Sequence, residues 1–401
     1  MIDLEKFISE NITGRSRSLF ADDISDADAT LRERVAGRRL LVIGGAGSIG
    51  SSYIKAMLPY GPRQLVVVDL NENGLAELTR DLRSTPGMVV PDDYRTYTLD
   101  FDSDLFRRIF TENGGFDIVA NFSAHKHVRS EKDRHSVQAL LDNNVLKARR
   151  LLDLLATRTP ERFFCVSTDK AANPANVMGA SKRLMEDLIM AYRDRFNVVT
   201  ARFANVAFSN GSLLDGFVHR MMKRQPLAAP ADVRRYFVSP AESGQICMLA
   251  CMLGESGEIF FPRLGEESMM RFSDICDSFL RVQGLEPLHC ATDEEARVAA
   301  AVREPGSRQY PVCYLPSDTT GEKPYEEFYI PGEHPDMTRF SSLGVLQAAP
   351  VDKAALAALA GRLEAMFADG RYTKADVVDA LRGYVPGFEH HELGRSLDQK
   401  M

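Results

Sequence analysis

A short apolar run, Arg38 to Ile43, passes without a break into Gly44-Gly45-Ala46-Gly47-Ser48-Ile49-Gly50, and an amphipathic stretch follows at once. This order constrains the fold more than any other part of the chain. A buried strand must end in a tight turn that opens a helix, and residues this small let a backbone approach a pyrophosphate held at the helix N-terminus. Gly44, Gly47, Ser48, Ile49 and Gly50 are therefore candidate cofactor contacts. A glycine-rich segment can also be a plain tight turn, but Asp69 argues against that. It closes the next apolar run, where an acid accepts hydrogen bonds from the adenine-side ribose.

The strand–turn–helix rhythm continues. Brief β-branched or aromatic runs bounded by turn residues fall at about 38–44, 64–69, 94–99, 116–121, 162–167 and 197–203, with amphipathic segments between them. Runs of this kind are parallel strands buried on both faces. The expected fold class is α/β, a doubly wound parallel (Rossmann) sheet with a smaller C-terminal substrate-binding lobe. The expected organisation is a helical arm over 1–36, the dinucleotide-binding sheet over 37–204, a substrate-binding lobe mixed with the core over 205–345, and a helical extension and tail over 346–401. Within this plan 176–195 has helical periodicity, 257–261 reads as a strand, and 352–384 reads as two helices parted at Asp369-Gly370.

Asp69 would repel a ribose 2′-phosphate, and Leu70 to Asn73 contain no arginine to neutralise one, so NAD is favoured over NADP. Asp100, after the third strand, can accept from the adenine amino group or stand as a solvated loop acid. Ser123 follows the fourth strand, where small polar residues line the cofactor channel.

A formal charge of −7 excludes an extended nucleic-acid surface while leaving room for a local basic pocket. Six cysteines without CxxC pairing, mostly in apolar segments, read as buried thiols in a reducing cytoplasm. The first residues carry early acids and no leader pattern, and no segment approaches the roughly 20 apolar residues that span a bilayer. A cytoplasmic chain with no membrane span is expected. His125 and His127 flank Lys126 without further ligands nearby in sequence, so no metal is expected. Of the three, Lys126 is the best candidate for touching phosphate or sugar.

Seven motifs stand in order: Gly44 to Gly50, Ser123-Ala124-His125-Lys126-His127-Val128, Ser167 to Ala171, Asn173 to Lys182, Arg202 to Val206, Arg235-Tyr236-Phe237, and Thr320 to Glu327. Across roughly 38–330 the chain resembles the extended short-chain dehydrogenase/reductase family, and within it the CapD-like NDP-sugar 4,6-dehydratases of bacterial polysaccharide biosynthesis. In that family a lysine four residues after a tyrosine binds the nicotinamide ribose and lowers the tyrosine pKa. Lys182 matches the lysine, but Met178 stands in the tyrosine slot and cannot ionise. Some relatives share this methionine, which makes it a subfamily trait.

The resemblance implies that a UDP-N-acetylhexosamine, UDP-N-acetylglucosamine, is oxidised at C4 by NAD, loses water across C5 and C6, and regains hydride at C6, with inversion at C5 expected. It assigns Lys170 as the C5 base, Asp169 as the C6 acid and Thr168 as a hydrogen-bonding partner of the C4 oxygen. Asn205, Arg235 and Glu322 match positions that hold the nucleotide diphosphate and its ribose, with Arg234 next to Arg235 as a competing register. Family members commonly assemble, so a homo-oligomer is expected. A sugar-nucleotide epimerase on the same scaffold and, from Met178, a non-catalytic sugar-nucleotide sensor or scaffold are the alternative readings.

Overall fold

The computed structural model describes residues 2–127, 131–317, 323 and 325–390. Six parallel strands appear in the expected places: β1 Arg39–Ile43, β2 Gln64–Asp69, β3 Asp93–Thr98, β4 Ile118–Asn121, β5 Arg162–Val166 and β6 Asn197–Ala201. Two further strands extend the sheet to eight, in the order Leu343–Gln347, Glu258–Pro262, β6, β5, β4, β1, β2, β3. Glu258–Pro262 runs parallel to β6, and Leu343–Gln347 closes that edge antiparallel. The chain is a doubly wound α/β protein, as expected.

Burial explains the composition of each strand. The interior strands β1, β2 and β4 are apolar because helices cover both faces, whereas β3, at the edge, keeps the polar residues Asp93, Arg95 and Thr96. The strand order reverses between β1 and β4, so the carboxyl ends of these two strands flank a crevice where such sheets place ligands. Helices Ser48–Met57 after β1 and Val177–Met190 after β5 begin on that side.

A second apolar cluster unites Phe217, Phe279, Leu280 and Tyr310 with Phe7, Ile8 and Ile12 from the start of the chain. Beside it lies a three-stranded parallel sheet ordered Glu286–Cys290, Gln309–Leu315, Leu227–Pro230. Its first two strands are joined through helix Asp293–Ala301, a βαβ unit that weak sequence alternation after residue 204 concealed. The N-terminal helix Ala21–Val35 instead packs Leu31 and Val35 into the main core. The two late helices are Lys353–Asp369 and Lys374–Arg382, with Gly370 capping the first. All six cysteines are buried and free. Among the described residues no helix is long and apolar enough to cross a membrane, and no group of three or more His, Cys, Asp or Glu side chains could hold a metal ion.

Candidate active site

Within the glycine-rich turn, a side chain on Gly44 or Gly50 would collide with neighbouring backbone. Gly44 has φ +72°, and a Cβ there would lie 2.6 Å from the Ser123 nitrogen. A Cβ on Gly50 would sit 2.4 Å from the Gly44 carbonyl oxygen. Gly47 caps helix Ser48–Met57, leaving the backbone N–H groups around Ser48 and Ile49 at an uncovered N-terminus that suits a dinucleotide pyrophosphate. Asp69, at the tip of β2, accepts from the Ala46 amide at 3.0 Å and the Asn71 amide at 2.9 Å, which ties the turn to the neighbouring strand. The cradle and its acid fit a dinucleotide with a free adenine-side ribose.

Asp100 is not a bare loop acid. It accepts from Lys147 Nζ and from the Asp102 amide; burial opposes its charge, yet these partners outweigh burial and hold the carboxyl below its usual range. The Ser123 amide donates to Asn121 Oδ1 at 3.0 Å. Lys126 reaches the Asn210 carbonyl at 2.9 Å, and the Asn210 amide donates to Ser48 Oγ at 2.9 Å, so Lys126 joins the rim of the turn. His125 and His127 are exposed on the same loop.

At the tip of β5, Thr168 is extended and leads into the short turn Asp169–Ala171. Asp169 is buried, and its Oδ1 accepts from Thr168 Oγ1 at 2.8 Å, from the Lys170 amide at 2.9 Å and from Lys170 Nζ at 2.9 Å. Helix Val177–Met190 starts beside it because Asn176 Oδ1 accepts from the Gly179 amide at 2.7 Å and Glu131 Oε1 accepts from the Met178 amide at 2.8 Å. The Met178 side chain is buried in the main core. One turn on, Lys182 donates to the Val166 carbonyl at 3.0 Å, and burial pushes its amine below the ordinary lysine range.

Arg235 is buried while Arg234 is exposed. Arg235 Nη1 donates to the Arg234 and Lys323 carbonyls at 2.9 and 3.0 Å. Asn205 pairs through its strand with Phe237–Val238, and its Nδ2 is buried with no hydrogen-bond partner among the described residues. Glu322 lies outside the described residues, as do Val128, Thr320, Gly321 and Pro324 of the motifs and residues 391–401 of the tail.

Four groups escaped the sequence reading. Glu326 Oε1 lies 3.8 Å from both Lys170 Nζ and Arg235 Nη2. Burial raises its pKa first of all, Lys170 opposes the rise, and Asp169 adds to it. Only its place in the last motif pointed to it. Asn144 sits in the widened turn Asp142–Leu146, its Oδ1 accepting from the His125 amide at 2.9 Å and its Nδ2 donating to the His125 carbonyl and Ser181 Oγ at 3.0 Å. Beneath the β5 tip, Glu186 pairs with fully buried Arg202 and accepts from Ser167 Oγ at 2.6 Å. The fourth, Glu131, is the cap on the Met178 helix.

A family model described as polysaccharide biosynthesis protein matches residues 40–343. The chain belongs to this family. Among its relatives, an uncharacterized membrane protein of Methanocaldococcus jannaschii is 29% identical over 301 residues, covering 73% of this chain and 85% of that protein. The capsular polysaccharide biosynthesis protein CapD of Staphylococcus aureus is 25% identical over 82% of this chain, which spans about half (52%) of CapD. A UDP-N-acetylglucosamine 4,6-dehydratase (inverting) of Campylobacter jejuni is 25% identical over 57% of this chain and 67% of its own length. In structure the family fold is shared with the dTDP-glucose 4,6-dehydratase DesIV of Streptomyces venezuelae, determined with NAD and TYD bound, at a TM-score of 0.55 and 20% identity over 72% of this chain and 88% of DesIV.

Proposed function

We propose that this chain is an NAD-dependent nucleotide-sugar 4,6-dehydratase whose substrate is UDP-N-acetylglucosamine. The observation that carries the reading is the Thr168–Asp169–Lys170 cluster at the tip of β5, directly beside the helix that presents Lys182. The named dehydratase and CapD relatives support it.

Gly44 to Gly50, Asp69 and Lys182 would hold NAD, which when bound supplies a reversible hydride acceptor for the sugar. The chain's own groups carry the protons. Oxidation at C4 acidifies the C5 proton, which in this reading Lys170 takes, and Asp169 gives a proton to the departing C6 hydroxyl. Thr168 hydrogen-bonds the C4 oxygen. Met178 contributes an apolar wall rather than a proton acceptor, so the C4 hydroxyl proton passes to another group. Arg235 offers a guanidinium fork, and Asn205 a buried amide with no partner among the described residues, to the diphosphate and its ribose.

Incubation of the purified chain with UDP-N-acetylglucosamine in deuterated water tests this reading by mass spectrometry. Loss of one water with deuterium entering at C5 is the expected result. A product of unchanged mass but altered C4 configuration would establish an epimerase, and an unaltered sugar with cofactor bound would establish a binding protein.

A further inference from the structure

The ion cluster at the β5 tip contains one carboxylate that this chemistry leaves without a task. Glu326 is 5% exposed, with Lys170 Nζ at 3.8 Å on one side and Arg235 Nη2 at 3.8 Å on the other. Facing it are Lys170 and Asp169 from the β5 tip, Arg235 from the strand before Tyr236, and Lys323 from its own segment, whose Nζ is turned to the Asn173 carbonyl. With Lys170 as the free amine that its base role requires, two carboxylates, Asp169 and Glu326, face two cations, Arg235 and Lys323.

A nucleotide diphosphate is a dianion. Drawn to the Arg235 fork, it takes that cation's field away from Glu326 and adds negative charge to the same buried volume. Carboxylates crowded in this way cannot all stay ionised, and one takes up a proton. Departure of the C6 hydroxyl as water requires a proton on Asp169.

Resting on the UDP-sugar reading above, we propose that Glu326 couples occupancy of the diphosphate site to proton uptake by the Asp169–Glu326 pair, so that substrate binding itself loads the acid for elimination. Protons balance through the cycle. Asp169 gives its proton to the leaving hydroxyl, the proton released from the C4 hydroxyl refills the pair, Lys170 takes and returns the C5 proton, and the extra proton goes back to solvent when the diphosphate departs. Glu326 acts through Lys170 and Arg235, each 3.8 Å away, and is a positioning residue.

The test is the pH dependence of UDP binding to the full chain, measured by calorimetric titration from about pH 6 to about pH 9, a range that buried carboxylates reach. Wild type, Glu326→Gln and Glu326→Asp are compared, and ionisation of UDP itself cancels between them. Uptake of one proton should weaken wild-type binding about tenfold per pH unit through part of this range. Glu326→Gln should flatten that slope to within about twofold, and Glu326→Asp, which keeps a carboxylate, should restore it. Uridine, lacking the diphosphate, should show no slope with any protein. Equal slopes in wild type and Glu326→Gln, or a flat wild-type profile, would overturn the coupling while leaving the UDP-sugar reading intact. Absence of any UDP binding to the wild type would overturn both, and is distinguished by the missing isotherm.

Discussion

Replacing Glu186 by glutamine removes one charge from beneath the β5 tip at almost constant volume. Arg202, at 0% exposure, donates from Nε to Oε1 at 2.9 Å and from Nη2 to Oε2 at 2.7 Å. The amide keeps one acceptor for Nε and Ser167 but sets its NH2 against Nη2, donor facing donor. Breaking a buried pair from one side costs about 3–5 kcal/mol because the remaining charge is stranded. Arg202 retains the Phe328 carbonyl at 3.0 Å and Glu333 Oε2 at 3.6 Å, so the lower end, about 3 kcal/mol, is expected. That is a large share of the roughly 5–15 kcal/mol that stabilises a folded protein.

The sign of the pH dependence follows from the same contacts. Burial works to raise the Glu186 pKa, but Arg202 outweighs it and holds the folded value below the ordinary glutamate range. The stabilisation is therefore complete above that range and is lost as pH falls through the lowered folded value. Urea unfolding followed by circular dichroism suits a chain with no tryptophan. The gap between wild type and Glu186→Gln should be widest near neutral pH and close in acid. A neutral-pH gap below about 1 kcal/mol, or one that persists unchanged in strong acid, would refute a buried pair of this kind.

Lys170→Ala should lower water loss and C5 deuterium incorporation by at least about a hundredfold with NAD binding intact; preserved turnover would remove Lys170 from the base role. Gly50→Ala places a methyl 2.4 Å from the Gly44 oxygen, and fluorescence titration should show NADH affinity falling at least about tenfold. Wild-type affinity would show that the turn yields freely. Asp69→Ala should narrow the preference for NAD over NADP in competitive binding, and an unchanged ratio would place the adenine ribose elsewhere. Lys182→Met removes an amine whose charge burial disfavours, so NAD binding should weaken while the melting temperature holds or rises. A lower melting temperature would mean that Lys182 mainly supports the fold.

Much of this architecture is local and hence legible in sequence. The turn from Gly44 to Gly50, the acid at Asp69 and the six strand runs are each specified by residues within one supersecondary unit, and their boundaries fall within two residues of expectation. Glu326 and Glu327 look alike in sequence, and only packing buries the first between two cations from remote strands. Asn144 was hidden for a related reason: its value comes from a widened helical turn that aims one side chain at His125 and Ser181. The edge strand Leu343–Gln347 pairs with Glu258–Pro262, and the βαβ unit around Asp293–Ala301 docks on Leu227–Pro230, partners far along the chain that short-range periodicity cannot report.

Asp23, in the N-terminal helix, receives the amides of Ser341 and Ser342 at 2.7 and 2.9 Å and the Ser341 hydroxyl at 2.8 Å. These clasping residues lie 318 positions apart in the chain. A ribosome-bound chain can assemble the glycine turn and the strands that follow it long before Ser342 emerges, so this clasp on helix Ala21–Val35 closes only after most of the sheet has been made.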